Sequence, residues 1–348
     1  MALTLPSLTA LAAHGFDSII DARSPAEYAE DHLPGAINLP VLDDEERARV
    51  GTIYKQQSPF LARKVGAALV ARNAAQHLEG PLADLPGGWR PLVYCWRGGQ
   101  RSGSFASILA QVGWRVELLQ GGYKAWRALV VAELNDRPLC APVRVLSGYT
   151  GTAKTEVLAH LARRGVQTID LEGLANHRGS LFGHRSDGQP SQKAFENSLA
   201  LLLANLDPSR PLVVEAESSR IGAVALPKQL WKAMVAAPRI SIEAPLAERA
   251  RYLTRAYGDL VADPARLQRT IENLRPLHPA ERITEWLGQA GTGAFEALAT
   301  GLMQEHYDRR YEKHHARYAR PGDCALQTDR LDEKGITDLA ARVEAALQ

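Results

Sequence analysis

The sequence predicts an α/β protein of two domains, each built on a parallel sheet. Three observations predict it. The 348 residues correspond to roughly two domains at about 150 residues each. Apolar strand-like runs alternate with helix-like segments through most of the chain, as parallel sheets require. Two of the strands run directly into glycine-rich turns that open helices, around Cys95-Trp96-Arg97-Gly98-Gly99 and around Gly148-Tyr149-Thr150-Gly151-Thr152.

Taken in order, 17–22 (DSIIDA), 91–94 (PLVY) and 116–120 (VELLQ) read as short buried strands. Between the last two, 102–112 has helical spacing. The stretch 127–142 is mixed, and Pro138 and Pro142 bracket a linker. A new strand follows at 143–147 (VRVLS), then a helix over 154–164. Further strands are expected at 166–171, 211–216 and 239–243, and mainly helix from about 245 onward. The domains expected are 1–137, a second α/β domain at 138–255, and a mainly helical part at 256–348 packed on the second. No internal repeat or low-complexity segment interrupts this pattern.

Composition narrows the function classes. Hydrophobic residues are 45% and charged residues 23%, an ordinary globular balance that excludes collagen-like or largely disordered chains. No apolar run approaches the ~20 residues of a membrane helix. No Lys or Arg precedes Arg23, so no signal peptide and no membrane partner are expected, and a cytoplasmic location is. Three cysteines exclude a disulfide scaffold. The net charge is only +2, so any nucleic-acid partner must be met by clustered basic groups.

The first chemistry-bearing segment is Val93-Tyr94-Cys95-Trp96-Arg97-Gly98-Gly99-Gln100-Arg101-Ser102. A Cys ends a strand, a glycine turn follows, and a helix starts. Backbone N–H groups curling round the sulfur, the helix N-terminus, Arg97 and Arg101 all favour the thiolate. The same groups form a cradle for an anion. Cys140 and Cys324 have no CxxC partner, and nothing has metal-ligand spacing.

The second segment matches GxxxxGK[ST] at Gly148, Lys154 and Thr155, with Ala153 in place of the last glycine. Gly148, Thr150, Gly151, Thr152, Lys154 and Thr155 are the expected diphosphate-binding residues, with inward N–H groups, the Lys154 charge, and a Thr155 hydroxyl able to hold Mg²⁺. The Ala153 methyl is expected near the phosphate. The strand Leu212-Val213-Val214-Glu215 ends in acid, and Glu215 and Glu217 fall on one face of an extended segment. They are candidates for acid/base work or for positioning a metal-bound water; a solvent-facing pair at a strand end fits the same pattern.

Residues 47–72 contain Arg47, Arg49, Lys55, Arg63, Lys64 and Arg72, with Tyr54 and Phe60 interleaved and no acid. Such a strip suits phosphate contacts and base stacking, and it also suits a solvated helix face. A second strip has Arg309, Arg310, Lys313, Arg317 and Arg320 among Tyr307, Tyr311, Tyr318, His306, His314 and His315. Glu305, Asp308 and Glu312 dilute it toward a charge-laced surface helix. His177 and Arg178 follow a strand of the second domain, where ligands bind in open α/β sheets.

The first region resembles a rhodanese domain over roughly residues 5–130. The residues that carry the resemblance are Asp21 through Tyr28 (DARSPAEY), His32 through Pro40 (HLPGAINLP), the Cys95 loop, and Gln120 through Trp126 (QGGYKAW). The resemblance implies a Cys95 that carries a chalcogen atom. Asp21, His32, Gly35 and Trp126 shape the fold and do no chemistry.

A rhodanese-like domain followed by a P-loop NTPase-like domain, with further motifs, resembles the bacterial tRNA 2-selenouridine synthase family. The motifs are Glu46-Arg47 with Val50 through Gln56, Leu171 through Ser180, Gln189 through Gln192 with Phe195-Glu196, and Glu217 through Gly222. The resemblance covers nearly the whole chain, is weakest after about residue 255, and departs at Ala153. It implies tRNA as partner, with the wobble uridine of the Lys, Glu and Gln tRNAs as target. The 2-thiouridine is first S-geranylated with geranyl diphosphate, and the geranylthio group is then replaced by selenium from selenophosphate. Cys95 with Arg97, Gly98, Gly99 and Arg101 would handle selenium, and the Lys154 loop the diphosphate. Arg47, Arg49, Lys55, Arg63, Lys64, His177, Arg178 and Arg220 are the tRNA-binding candidates. No tightly bound cofactor is expected beyond these co-substrates and magnesium at Thr155; the oligomeric state stays open. The alternative is a rhodanese sulfurtransferase coupled to a P-loop kinase or ATPase acting on another acceptor. A non-catalytic RNA-binding scaffold is a third class, disfavoured by the Cys95 loop.

Overall fold

The computed structural model describes residues 2–312 and 320–347. It divides into two compact units, Met1–Arg137 with Ser191–Asn205, and Pro138–Pro190 with Leu206–Gln348.

The first unit carries five strands: β1 (Ala2–Leu3), β2 (Ser18–Asp21), β3 (Ala36–Asn38), β4 (Pro91–Tyr94) and β5 (Glu117–Leu119). Their order is β1-β5-β4-β2-β3, and every pairing is parallel. β4 lies at the centre with all four residues buried, as its unbroken apolar run requires. The three strands expected at 17–22, 91–94 and 116–120 are β2, β4 and β5. β1 and β3 are two and three residues long, too short for periodicity to reveal.

Two helices form a hairpin over this core. Asp44–Gln56 opens with a capping box of Asp43 and Glu46. Pro59–Glu79 opens with the Ser58 hydroxyl capping Leu61 N–H and with Pro59 in its first turn. Ala62, Leu69, Val70 and Ala74 face the core. The basic residues Arg47, Arg49, Lys55, Arg63, Lys64 and Arg72 are all exposed, and Tyr54 and Phe60 stand out at 58% and 70% exposure.

The stretch read as mixed is helical as far as Asn135. This helix, Gly122–Asn135, buries Trp126, Val130 and Leu134. Its polar needs are met by a segment from much later in the chain. In the helix Gln192–Ala204, Asn197 accepts the Trp126 indole N–H at 2.9 Å and donates to Asp31 Oδ1 at 3.0 Å and His32 O at 2.7 Å. Arg127 pairs with Glu196 and Lys193 with Glu30. A linear reading places 191–205 in the second domain; these buried polar partners put it in the first unit. The roles expected of Asp21 and His32 are visible here too: Asp21 pairs with buried Arg23 at 2.6 Å, and His32 Nδ1 lies 3.0 Å from Tyr28 O.

The second unit carries β6 (Val143–Gly148), β7 (Thr168–Ile169), β8 (Leu212–Glu215), β11 (Arg239–Glu243) and β12 (Cys324–Gln327), in the order β12-β11-β6-β8-β7. All pairings are parallel. A small antiparallel pair, β9 (Arg220–Ile221) and β10 (Val224–Ala225), stands apart from the sheet. The chain leaves β6 toward β7 and β8 on one side and returns to β11 on the other, so the C-terminal end of β6 is a topological switch point.

The C-terminal part is mainly helical, as expected, and adds a strand, β12, to the sheet edge. The residues of β12 are mostly exposed, so it lacks the apolar run that marks a buried strand. The helix Glu333–Ala345 sends Ile336, Leu339, Ala340 and Val343 into the same core as Leu146, Val157 and Ile242. Between β11 and β12, helices Leu246–Ala256, Gly258–Val261, Pro264–Glu272, Ala280–Gly291 and Phe295–Leu302, with a π-helical turn at Met303–Tyr307, surround a separate apolar cluster. Among the described residues no helix is long and apolar enough to cross a membrane.

Candidate functional site

Cys95 sits just past the C-terminal end of β4 and is 3% exposed. The Cys95 and Trp96 carbonyls accept from Tyr123 and Lys124 N–H at 2.8 and 2.9 Å, at the start of the helix Gly122–Asn135. That turns the carbonyls outward and leaves loop N–H groups on the sulfur side. Gly98 has φ +66°, and a Cβ there would lie 2.7 Å from Leu119 O, so only glycine fits. The Ser102 hydroxyl donates to Cys95 Sγ at 3.1 Å. Burial pushes the thiol up, but the Ser102 hydroxyl and N–H, the Arg101 charge and the Arg97 N–H outweigh it, and the net position is below the ordinary thiol value. The site therefore favours a thiolate.

The two arginines differ. Arg97 contributes its backbone, and the residue is exposed. Arg101 is held by Glu27 at 2.7 Å, and Glu27 also reaches Arg47 at 3.2 Å. A phosphate at this loop must share Arg101 with Glu27. The basic strip, free of acid in sequence, thus meets an acid in space at Arg47.

The phosphate loop follows β6. Gly148 has φ +146°, and a Cβ there would press on Thr152 Oγ1 and Ile242 O at 2.6 and 2.7 Å. Thr152 is buried and donates to Tyr149 O at 2.9 Å, so its side chain serves the loop's shape. Lys154 Nζ turns back onto Gly148 O at 2.9 Å and Tyr149 O at 3.3 Å. Burial lowers the Lys154 pKa, opposed by Glu172, Glu217 and Glu215.

Ala153 is the N-cap of the following helix at φ 57°, and it is 2% exposed within the apolar core with Leu146 and Val157. Its methyl belongs to that core. Ala153 also lines the cavity that contains Lys154 and Thr155, so it stands beside the expected phosphate site as well.

Loop position is fixed from outside. Arg249 donates to Thr150 O at 2.9 Å and pairs with Asp308 at 2.6 Å. Tyr311 OH meets Ser147 Oγ at 3.1 Å, and the Tyr149 and Tyr311 rings lie 4.4 Å apart.

Three carboxyls crowd the far side. Thr155 Oγ1 donates to Glu172 Oε2 at 3.0 Å, and Glu172 N–H donates to Glu215 Oε1 at 2.7 Å. Glu217 shares a hydrogen bond with Glu172. Burial, then the neighbouring carboxylates, raises Glu215 and Glu217 well above the ordinary carboxyl value. Glu215 is 1% exposed, so it is no solvent-facing acid.

The remaining candidates scatter. His177 is 3% exposed, and its Nδ1 accepts from Gly179 N–H at 3.1 Å. It caps its own loop, and a direct RNA contact is closed to it. Arg178 pairs with Asp259 at 2.8 Å, lies over the Tyr257 ring and lines the phosphate-loop cavity. Arg220 is exposed on β9. Of the second basic strip, Lys313, His314, His315, Arg317 and Tyr318 lie outside the described residues.

Sequence reasoning passed over Ser102, Glu27, Glu172 and Arg249, which the fold brings to these loops. Ser102 was accessible to it, in the first turn of the helix after the Cys95 loop. Arg249 had no local signal, since it meets Thr150 across 99 positions.

A thiolate loop at the end of one parallel sheet and a phosphate loop at the switch point of another define a rhodanese-like domain joined to a P-loop domain. Residues 5–129 match the rhodanese-like domain model, and residues 141–273 match the model described as the tRNA 2-selenouridine synthase AAA domain. The tRNA 2-selenouridine synthase of Cupriavidus pinatubonensis is 35% identical over 91% of this chain and 94% of its own length. That of Alcanivorax borkumensis is 35% identical over 84% and 88%, and that of Shewanella loihica 41% identical over 70% and 64%. The matched stretch thus spans less than two thirds of the Shewanella protein. The chain belongs to the tRNA 2-selenouridine synthase family.

Proposed function

We propose that this protein forms 2-selenouridine at the wobble position of the Lys, Glu and Gln tRNAs, through a geranylated intermediate. The observation that supports it most is one chain carrying both a thiolate-favouring Cys95 loop and a phosphate loop, in a member of this family.

Sulfur leaves poorly from a neutral thiocarbonyl. In the first stage the sulfur of 2-thiouridine attacks C1 of geranyl diphosphate. The C1–S bond forms, the C1–O bond breaks, and diphosphate leaves with the electron pair. The loop N–H groups and Lys154, once released from the Gly148 and Tyr149 carbonyls, neutralise it. The uridine N3 proton is lost; the hydrogen-bonded Glu172–Glu217 pair, which lines this cavity, is a group able to take it. A magnesium ion would be held by the Thr155 hydroxyl and a nearby carboxylate, with phosphate and water completing the set. The Glu215 Oε2 atom, buried without a hydrogen-bond partner, fits that need. The ion would supply charge neutralisation of the leaving group.

In the second stage selenium from selenophosphate, held at Cys95, attacks C2. The C2–Se bond forms and geranylthiol leaves. Water cleaves the Se–P bond and phosphate departs. Splitting the exchange into two displacements lowers each barrier. The exposed basic and aromatic residues of the helical hairpin supply phosphate contacts and a stacking surface for the tRNA.

The test is nucleoside mass spectrometry of tRNA from cells lacking the gene and supplied with selenium, complemented with this chain. The wild type should restore 2-selenouridine, and Cys95→Ser should not. Unchanged 2-selenouridine on deletion, or full activity of Cys95→Ser, overturns the proposal. Tight ATP binding with hydrolysis, and no geranylated nucleoside, would favour a coupled sulfurtransferase and kinase.

A further inference from the structure

The second unit holds an apolar cleft that the chemistry above leaves unused. Its walls include Phe182, Leu260, Leu267, Phe295, Leu298 and Leu302. Five residues, Thr150, Ser180, Leu253, Tyr257 and Tyr307, line both this cavity and the one containing Lys154 and Thr155. The apolar space therefore meets the phosphate loop at Thr150.

Two further observations mark the junction as more than a packing defect. Met303 and Tyr307, both on the wall, are the ends of a π-helical turn, a geometry that recurs at functional sites. Arg185 lines the phosphate side, and its Nε is buried with no hydrogen-bond partner among the described residues, an unmet donor suited to an anion. An apolar space of this kind binds hydrocarbon in preference to water.

A charged compartment opening beside an apolar one fits a ligand with an anionic head and a hydrocarbon tail. We infer that the cavity seats the tail of a short prenyl diphosphate whose head lies on the Lys154 loop. The inference rests on reading that loop as a diphosphate site. Arg185 is then a further head-group residue, and the wall residues set the chain length accepted.

Calorimetric titration of the full chain tests this with inorganic diphosphate and with dimethylallyl, geranyl and farnesyl diphosphates. Geranyl diphosphate should bind at least about tenfold more tightly than inorganic diphosphate, from the buried methylenes. Ala299 is also on the cleft wall, and Ala299→Phe, which fills the cleft, should abolish the gain and leave inorganic diphosphate within about twofold. Leu298→Ala, which enlarges it, should shift preference toward farnesyl diphosphate. Equal affinity of the wild type for geranyl and inorganic diphosphate overturns the inference, as does a gain that survives a folded Ala299→Phe. Should the filled variant not fold, the wild-type series and Leu298→Ala decide. Failure of the loop reading is distinct: inorganic diphosphate would then bind weakly, or equally well to Lys154→Ala.

Discussion

The Thr155 hydroxyl donates to Glu172 Oε2 at 3.0 Å, which ties the hydroxyl expected to hold magnesium to an acid. Three carboxyls and one lysine share this corner, so anion binding there competes with acid already in place. Removing one charge should help. Glu172→Gln should tighten inorganic diphosphate by about tenfold in the absence of magnesium, through reduced repulsion. Titration calorimetry with and without magnesium reads this, and weaker binding by the variant would refute it.

Glu215 makes stability depend on pH. Its folded-state pKa lies well above the ordinary value because burial and neighbouring acids disfavour its charge. The stability it contributes is fully present below the unfolded carboxyl value. It is lost as pH rises toward the folded value. Glu215→Gln cannot ionise, so its melting temperature should rise relative to wild type as pH goes from about 5 to 8. A difference independent of pH would be the contrary result.

Ser102 makes a prediction about reactivity. Its hydroxyl is the first of the groups that lower the Cys95 thiol against burial. In Ser102→Ala the titration midpoint of the thiol should move up, and alkylation near neutral pH should slow. Iodoacetamide rate against pH measures both, and Cys95→Ser gives the background from exposed Cys140 and Cys324. An unchanged midpoint would mean that the loop N–H groups suffice alone.

Ala153 tests whether its departure from the glycine pattern matters. Glycine would relieve left-handed strain of about 1–2 kcal/mol. It would lose about 0.8 kcal/mol of methyl burial and about 0.5–1 kcal/mol of chain entropy. These nearly cancel. Ala153→Gly should melt within a few degrees of wild type and bind diphosphate within about twofold. A large gain in affinity would mean that the methyl does reach the ligand.

Much of this architecture was legible in the sequence. β4 and β6, the strands that lead into the two loops, are largely apolar and run into glycine-containing turns within a few residues, and the loops needed no long-range knowledge. β1, β3 and β12 were not legible, being short or at a sheet edge. The site was readable only as far as its contiguous motifs. Cys95, Lys154, Thr155, Glu215 and Glu217 announce themselves by spacing. Glu172 at Thr155, Arg249 at Thr150 and Glu27 at Arg101 are brought by the fold from 17, 99 and 74 positions away. Spacing placed Ala153 beside the phosphate loop but could not show that it also packs into the core with Leu146 and Val157.

The helix Gln192–Ala204 has a consequence for inheritance. The polypeptide passes between the two units three times, after residues 137, 190 and 205. No single crossover in the gene can therefore exchange one unit cleanly for a homologue. A recombinant joined at residue 137 would pair Trp126, Asp31 and His32 of one parent with Asn197 of the other. Clean exchange of either unit needs more than one crossover, and changes at Asn197 answer to partners encoded well before it, Trp126, Asp31 and His32.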